Sequence, residues 1–171
     1  MPNCVATPLS RAQIRNMAGV IRKIEGTEDK CYFDIVHFVE VTLSKIDPDF
    51  SLIIEPKEQM GSCHGLTYPD KNEIHLREDV YNLAVDGSGR DRLTIAHELF
   101  HLLQHCHENI SFARMREECD IPAYMNPEWQ ADAFGGELLI PRDLIRGMSV
   151  EEIVNSCKVS KAAAMFQMRY V

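Results

Sequence analysis

Long hydrophobic runs are missing from this chain of 171 residues. Hydrophobic residues make up 45% of it, enough for a folded core. No stretch, however, approaches the roughly 18 consecutive apolar residues that a membrane-spanning helix needs. The first residues also lack the charged segment and the apolar segment of a secretory signal peptide. From these absences we expect a cytoplasmic protein, and the length favours one domain.

Paired cysteines and an excess of basic charge are missing as well. The six cysteines are scattered and include no C-x-x-C pair, so reduced thiols are expected in a cytoplasmic protein. The net charge is -8 and the pI is about 5.3. This acidic balance argues against a broad nucleic-acid surface and against binding to anionic membranes.

The most informative motif that is present is H-E-x-x-H, which begins at His97 and lies in an apolar run without Gly or Pro. Residues four apart share one face of a helix, so His97 and His101 can bind the same metal ion. Glu98 lies one residue along the helix and can reach a water on that metal. The spacing therefore predicts a zinc hydrolase site with Glu98 as the general base.

A catalytic zinc site needs a third protein ligand, and the chain offers two candidates. His107 completes the spacing H-E-x-x-H-x-x-x-x-x-H of the metzincin class, but that class needs a glycine at the position where this chain has Gln104. Glu128 lies on the next predicted helix, with Asp132 four residues later on the same face. The turn chemistry favours Glu128 as the ligand, with Asp132 holding a ligating imidazole in place.

Hydrophobic periodicity predicts an α+β fold. Helical spacing predicts helices at about 10–23, 33–45, 91–105, 127–139, 149–156 and 160–171, with a brief helical turn at about 80–85. Short apolar runs bounded by turn residues predict strands at about 50–54, 64–68 and 73–76. We expect these strands to form a small three-stranded antiparallel sheet surrounded by helices. The expected domain covers residues 1–148. A helical segment at 149–171, which looks like a helix-turn-helix, is expected to pack on it.

The two central segments, 92–101 and 128–141, resemble the ImmA/IrrE family of metallopeptidases. The ends of the chain, near 8–14 and 159–164, show a weaker likeness. The resemblance implies a compact zincin-like fold of the glutamate-ligand type, with Zn²⁺ as the cofactor. It also implies that the substrate is a helix-turn-helix transcriptional repressor of a prophage, mobile element or stress regulon. Because no such domain is fused here, the resemblance implies a separate partner protein.

The motifs do not assign the groups that stabilise the oxyanion or contact the substrate. Tyr124, His64 and Tyr68 are candidates for stabilising the oxyanion or contacting substrate. An extended substrate would pair most naturally with the sheet edge near 64–68.

One alternative function is a zinc-containing binding module that sequesters the repressor without cutting it. Direct DNA binding by 149–171 is disfavoured because that segment carries few basic residues.

Overall fold

The computed structural model describes residues 6–105 and 122–171. Within these ranges the α-helices, in chain order, are α1 (Arg11–Ile24), α2 (Ile35–His37), α3 (Leu43–Ile46), α4 (Lys57–Met60), α5 (Glu78–Val85), α6 (Gly89–His105), α7 (Pro127–Leu139), α8 (Val150–Cys157) and α9 (Lys161–Gln167). A π-helical turn, Phe38–Thr42, joins α2 to α3, and 3-10 turns lie at Pro69–Lys71, Ala123–Met125 and Met168–Tyr170. The strands are β1 (Ser51–Glu55), β2 (Gly65–Tyr68) and β3 (Glu73–Arg77). The predicted α+β fold is confirmed.

The sheet is mixed, so the prediction of a purely antiparallel sheet is wrong. Its strand order is β1-β3-β2. Strands β2 and β3 form an antiparallel hairpin, and β1 runs parallel to β3. The chain can make this parallel pair because residues 56–64, which include the unpredicted helix α4, carry it past the position of β3 before β2 begins. The hairpin turn ends at Asn72, whose left-handed φ of 58° suits an asparagine.

Side-chain caps fix where the main helices begin. Ser10 forms a capping box with Gln13 at the start of α1. The side chain of Asn126 accepts hydrogen bonds from the backbone N–H groups of Glu128 and Trp129, and Pro127 occupies the first turn of α7. Both helices begin within one residue of the starts expected from the helical spacing, at about 10 and 127. The cap at Asn126 places the side chain of Glu128 in the first turn of α7.

The core lies where α6 packs against α7 and where α1 covers the other side of α7. Its fully buried members include Ile95, Leu99 and Phe100 of α6, and Phe134 and Leu138 of α7. Burying side chains of this size stabilises the fold by about 1.5–3 kcal/mol each. Because both motif-bearing helices are anchored by this core, the polar side chains on their outer faces are held on a rigid base.

Arg92 of α6 connects the end of α8 and the residue that follows it to the body of the protein. Arg92 is 1% exposed, and its guanidinium donates hydrogen bonds to the backbone carbonyls of Phe33, Cys157 and Lys158. Ile153 of α8 is also fully buried. No helix in residues 6–105 and 122–171 is both long enough and apolar enough to cross a bilayer.

Candidate metal centre

One face of α6 carries two imidazoles that lie side by side. The ring centroids of His97 and His101 are 4.8 Å apart, and their Nε2 atoms are 3.0 Å apart. Ile95 and Leu99 of the same helix are fully buried in the core. The four-residue spacing brings both imidazoles together on one face of the helix, outside the apolar core.

Glu128 of α7 brings a carboxylate to these two rings. Its Oε2 is 3.2 Å from Nε2 of His97, and its Oε1 is 3.6 Å from Nε2 of His101. The three residues offer ligand atoms that all lie within 4.8 Å of one another. Ligand atoms bound tetrahedrally to Zn²⁺ are about 3.3 Å apart, given metal–ligand bonds of about 2.0–2.1 Å. The spacing and the donor types therefore fit a zinc ion.

Asp132 lies one turn further along α7 and contacts the nitrogen of the His97 ring that does not face Glu128. Its Oδ1 is 2.9 Å from Nδ1 of His97. A carboxylate only accepts hydrogen bonds, so Nδ1 of His97 carries the proton and Nε2 is left facing Glu128. Burial disfavours the charged imidazole, but the hydrogen bonds to Asp132 and Glu128 outweigh it and raise the pKa of His97 to about 9. This environment favours positive charge at the site, as a metal cation would supply.

Glu98 lies beside the cluster with its side chain turned toward β2. Its Oε2 accepts a hydrogen bond of 2.7 Å from the hydroxyl of Thr67. Burial raises the pKa of the Glu98 carboxyl above its ordinary value, and the Thr67 hydrogen bond and the charge of His97 oppose the shift. A raised pKa suits a carboxylate that must take up and release a proton near neutral pH.

An open cleft of about 290 Å³ gives solvent access to these groups. Its lining includes His97, Glu98 and Asp132, together with His64 at the start of β2. A second cavity, also of about 290 Å³ and mostly apolar, adjoins the cleft, because Leu93 and Asp132 line both. The cleft therefore exposes one imidazole of the cluster and the Glu98 carboxylate to anything that enters it.

The comparison with protein families adds an independent observation. The Peptidase M78 family, described as the IrrE N-terminal-like domain, matches residues 59–168, more than half of the chain. The chain belongs to this family. It is therefore a metallopeptidase, in agreement with the resemblance noted from the two central segments. No curated protein matches the chain.

The matched Peptidase M78 region contains every site residue predicted from the sequence. The structure brings together His97, Glu98, His101, Glu128 and Asp132. The alternative ligand His107 lies outside the described residues. As a group within the family region, the five clustered residues are the strongest candidates for the metal centre.

The three candidates for oxyanion or substrate contacts lie in different places. His64 lines the cleft. Tyr68 instead packs edge-on against His75, with ring centroids 4.8 Å apart, and lines a cavity on the sheet. Tyr124 is half exposed and precedes α7, where its backbone carbonyl accepts a hydrogen bond from Gln130. Of these three residues, His64 is the one that lines the same cleft as His97 and Glu98.

Sequence reasoning missed two residues of the site, Thr67 and Gly65 in β2. Both contact or closely approach Glu98. A single threonine or glycine in a short strand carries no motif, so nothing in the sequence pairs either residue with Glu98. Side chains alternate between the two faces of a strand, so residues 65 and 67 share one face of β2. The sequence does not identify the element that packs against that face.

Proposed function

We propose that this metallopeptidase is a zinc-dependent endopeptidase that acts on a helix-turn-helix transcriptional repressor in the cytoplasm. It would thereby serve as an anti-repressor for a prophage, mobile element or stress regulon. The observation that carries the enzymatic part is the cluster of His97, His101 and Glu128, whose ligand atoms lie within 4.8 Å of one another. The buried carboxylate of Glu98 beside that cluster supplies the base that hydrolysis needs.

His97, His101 and Glu128 would hold the zinc, and Asp132 would fix the tautomer of His97 through the Nδ1–H. When bound there, zinc would supply Lewis-acid chemistry, acidifying a coordinated water and polarising a peptide carbonyl. The side chains of Glu128 and Asp132 are 69% and 66% exposed, so the cluster is open to solvent and to an incoming peptide. This openness leaves room for the fourth position that a catalytic zinc site keeps.

Glu98 would handle the protons of the reaction. Because its Oε2 accepts the hydrogen bond from Thr67, Oε1 is the oxygen available to take a proton from the attacking water. The same carboxyl would then give that proton to the nitrogen of the leaving amine. Burial raises the pKa of this carboxyl, which favours the protonated form that it would adopt between the two proton transfers.

The substrate would lie along the open edge of the sheet. In the described structure β2 is an outer strand, paired only with β3, and it runs next to α6. An extended peptide can add to such an edge through backbone hydrogen bonds. His64, at the start of β2 and in the cleft, would lie close enough to donate a hydrogen bond to the developing oxyanion.

The choice of a repressor as substrate rests on family membership and on charge. The chain carries a net charge of -8. A DNA-binding partner is basic where it contacts phosphate, so opposite charges would speed the encounter, and added salt would slow it. Selective docking of this kind would restrict cleavage to one class of protein.

The proposal is tested by incubating the zinc-loaded protein with helix-turn-helix repressors encoded beside its gene. Mass spectrometry then identifies fragments. We expect the wild type to cut one repressor and Glu98→Gln to bind zinc and repressor without cutting, because the amide cannot take up the proton. Glu28→Gln, which alters an exposed carboxylate that does not line the cleft, is the matched control and should cut normally.

Two outcomes would change the proposal. Full relief of repression in cells by Glu98→Gln would mean that the protein sequesters the repressor as a zinc-containing binding module. Failure of both proteins to affect any such regulator would remove the repressor from the proposal and leave a metallopeptidase with another substrate.

A further inference from the structure

The contact between Thr67 and Glu98 joins β2 to the metal-binding helix. The Thr67 hydroxyl lies 2.7 Å from Oε2 of Glu98 and 3.0 Å from the backbone carbonyl oxygen of the same residue. A hydroxyl has one hydrogen to donate, and an ionised carboxylate is a stronger acceptor than a carbonyl. The hydroxyl therefore donates to the carboxylate.

Gly65, two residues earlier on the same strand face, leaves the space that the Glu98 side chain fills. A Cβ atom built at Gly65 would lie 2.6 Å from Cγ of Glu98 and 3.0 Å from its Cδ and Oε1. The first of these distances is shorter than real Cβ contacts, so a side chain at position 65 would push the Glu98 side chain aside. One strand thus gives Glu98 both a hydrogen-bond donor and a fitted space.

The contact joins two elements that are themselves fixed. Strand β2 is paired with β3 along its length, and α6 is anchored through residues that are fully buried, such as Leu99. A glutamate side chain that is free to rotate would spend much of its time away from the reacting water. Holding the carboxylate in one geometry keeps it next to the water. Misplacing a catalytic group by about 1 Å can lower a rate by roughly 100-fold.

We propose that Thr67 is a positioning residue that fixes the Glu98 carboxylate for proton transfer, with Gly65 providing the room it needs. This inference rests on the proposed role of Glu98 as the general base. The Thr67 hydroxyl is directed at Glu98 rather than at the water or the peptide, so its removal acts on the rate through Glu98. A purely structural contact would affect folding stability without a specific effect on turnover.

The test compares the full-length, zinc-loaded protein with Thr67→Val, which keeps the shape but removes the hydroxyl, and with Thr67→Ser, which keeps the hydroxyl. The matched control is Thr42→Val. Thr42 also donates a hydrogen bond of 2.7 Å to a glutamate, Glu25, but lies outside the cleft. The substrate probe is a mixture of tryptic peptides from a bacterial proteome, and cleavages absent with Glu98→Gln are identified by mass spectrometry. The best-cleaved peptide then gives kcat and KM.

We expect Thr67→Val to lower kcat roughly 10- to 100-fold with KM changed by less than about twofold. Thr67→Ser should restore kcat to within about threefold of the wild type, and Thr42→Val should leave it unchanged. Zinc content and Tm are measured for every variant. Wild-type kcat in Thr67→Val, or an equal loss in Thr67→Val and Thr67→Ser, would overturn the inference while leaving the role of Glu98 intact.

A second variant keeps the inference testable if Thr67→Val does not fold. Gly65→Ala leaves the hydroxyl in place but pushes on the Glu98 side chain, so we expect it to lower kcat while binding zinc normally. Unchanged kcat in a folded Gly65→Ala would contradict the fitted space. If the wild type shows no cleavage that depends on Glu98, the proposed function itself fails, and the role of Thr67 fails with it.

Discussion

At the scale of single residues, Asp132 determines which nitrogen of His97 faces the metal cluster. Its carboxylate is 2.9 Å from Nδ1 of His97, on the side of the ring opposite to Glu128. Asp132 is therefore expected to support a ligand rather than to be one. Burial of the ring lowers the pKa of His97, and the hydrogen bond to Asp132 is one of the contacts that outweigh burial and raise it.

We predict that Asp132→Ala weakens zinc binding by roughly 10- to 100-fold without abolishing it, because the imidazole loses its orienting partner. Competition with a fluorescent zinc chelator measures the affinity. Asp143→Ala, which removes a surface carboxylate paired with Arg146, is the control and should bind as the wild type does. Complete loss of zinc from Asp132→Ala would indicate a direct ligand instead.

The residues found from the sequence are those whose spacing along one helix carries the information. His97 and His101 need only the helical period to be placed together, and Glu128 and Asp132 share their own helix in the same way. Thr67 could not be found, because its contact with Glu98 depends on how β2 packs against α6. Contacts of that kind are set by tertiary packing rather than by local pattern.

At the scale of elements, the start of α6 packs tightly on the turn between α8 and α9. A Cβ atom at Gly89 would lie 2.4 Å from the backbone nitrogen of Ser160 and 2.4 Å from the carbonyl carbon of Val159. These are backbone atoms that cannot move without shifting a helix. By contrast, a Cβ at Gly19, in the middle of α1, would meet nothing within 4 Å.

We predict opposite effects of alanine at these two glycines. Gly19→Ala should raise the free energy of unfolding by about 0.5–1 kcal/mol, because alanine favours the helix and nothing opposes it. Gly89→Ala should lower it by about 1–3 kcal/mol through overpacking. Urea denaturation followed by circular dichroism measures both. Equal stability of the two variants would contradict the close packing of α6 on the turn.

Helices α1 and α7 were predictable because each has a local start signal and a helical period. The capping box at Ser10 and the Asn126-Pro127 pair identify the starts of α1 and α7. The direction of β1 was not predictable, because three short strands in sequence favour a simple meander. The parallel pairing of β1 with β3 follows from the path of residues 56–64, which has no signature in the sequence.

At the scale of the whole molecule, the C-terminal helix pair closes the core rather than standing apart. Ile153 is fully buried and Val159 is 5% exposed. The guanidinium of Arg92 uses the carbonyls of Cys157 and Lys158 as acceptors. Without these acceptors a charged group that is 1% exposed would lose two of its hydrogen bonds.

We predict that deletion of residues 149–171 leaves a chain that does not fold. The deletion would expose apolar surface of the core and remove two hydrogen-bond acceptors of the buried Arg92 guanidinium. Heteronuclear NMR of the truncated and full-length chains measures this directly. A well-dispersed spectrum and an unchanged Tm for the truncated chain would instead make 149–171 a separate unit, and would reopen a role for it in DNA binding.

The central claim is that His97, His101 and Glu128 together hold one zinc ion. The most direct measurement is an anomalous difference map at the zinc edge from crystals grown with zinc. We predict a single strong peak bonded to Nε2 of both histidines and to a carboxylate oxygen of Glu128, with Asp132 contacting only His97. A peak bonded to His107 or to an oxygen of Asp132 in place of Glu128 would contradict the account.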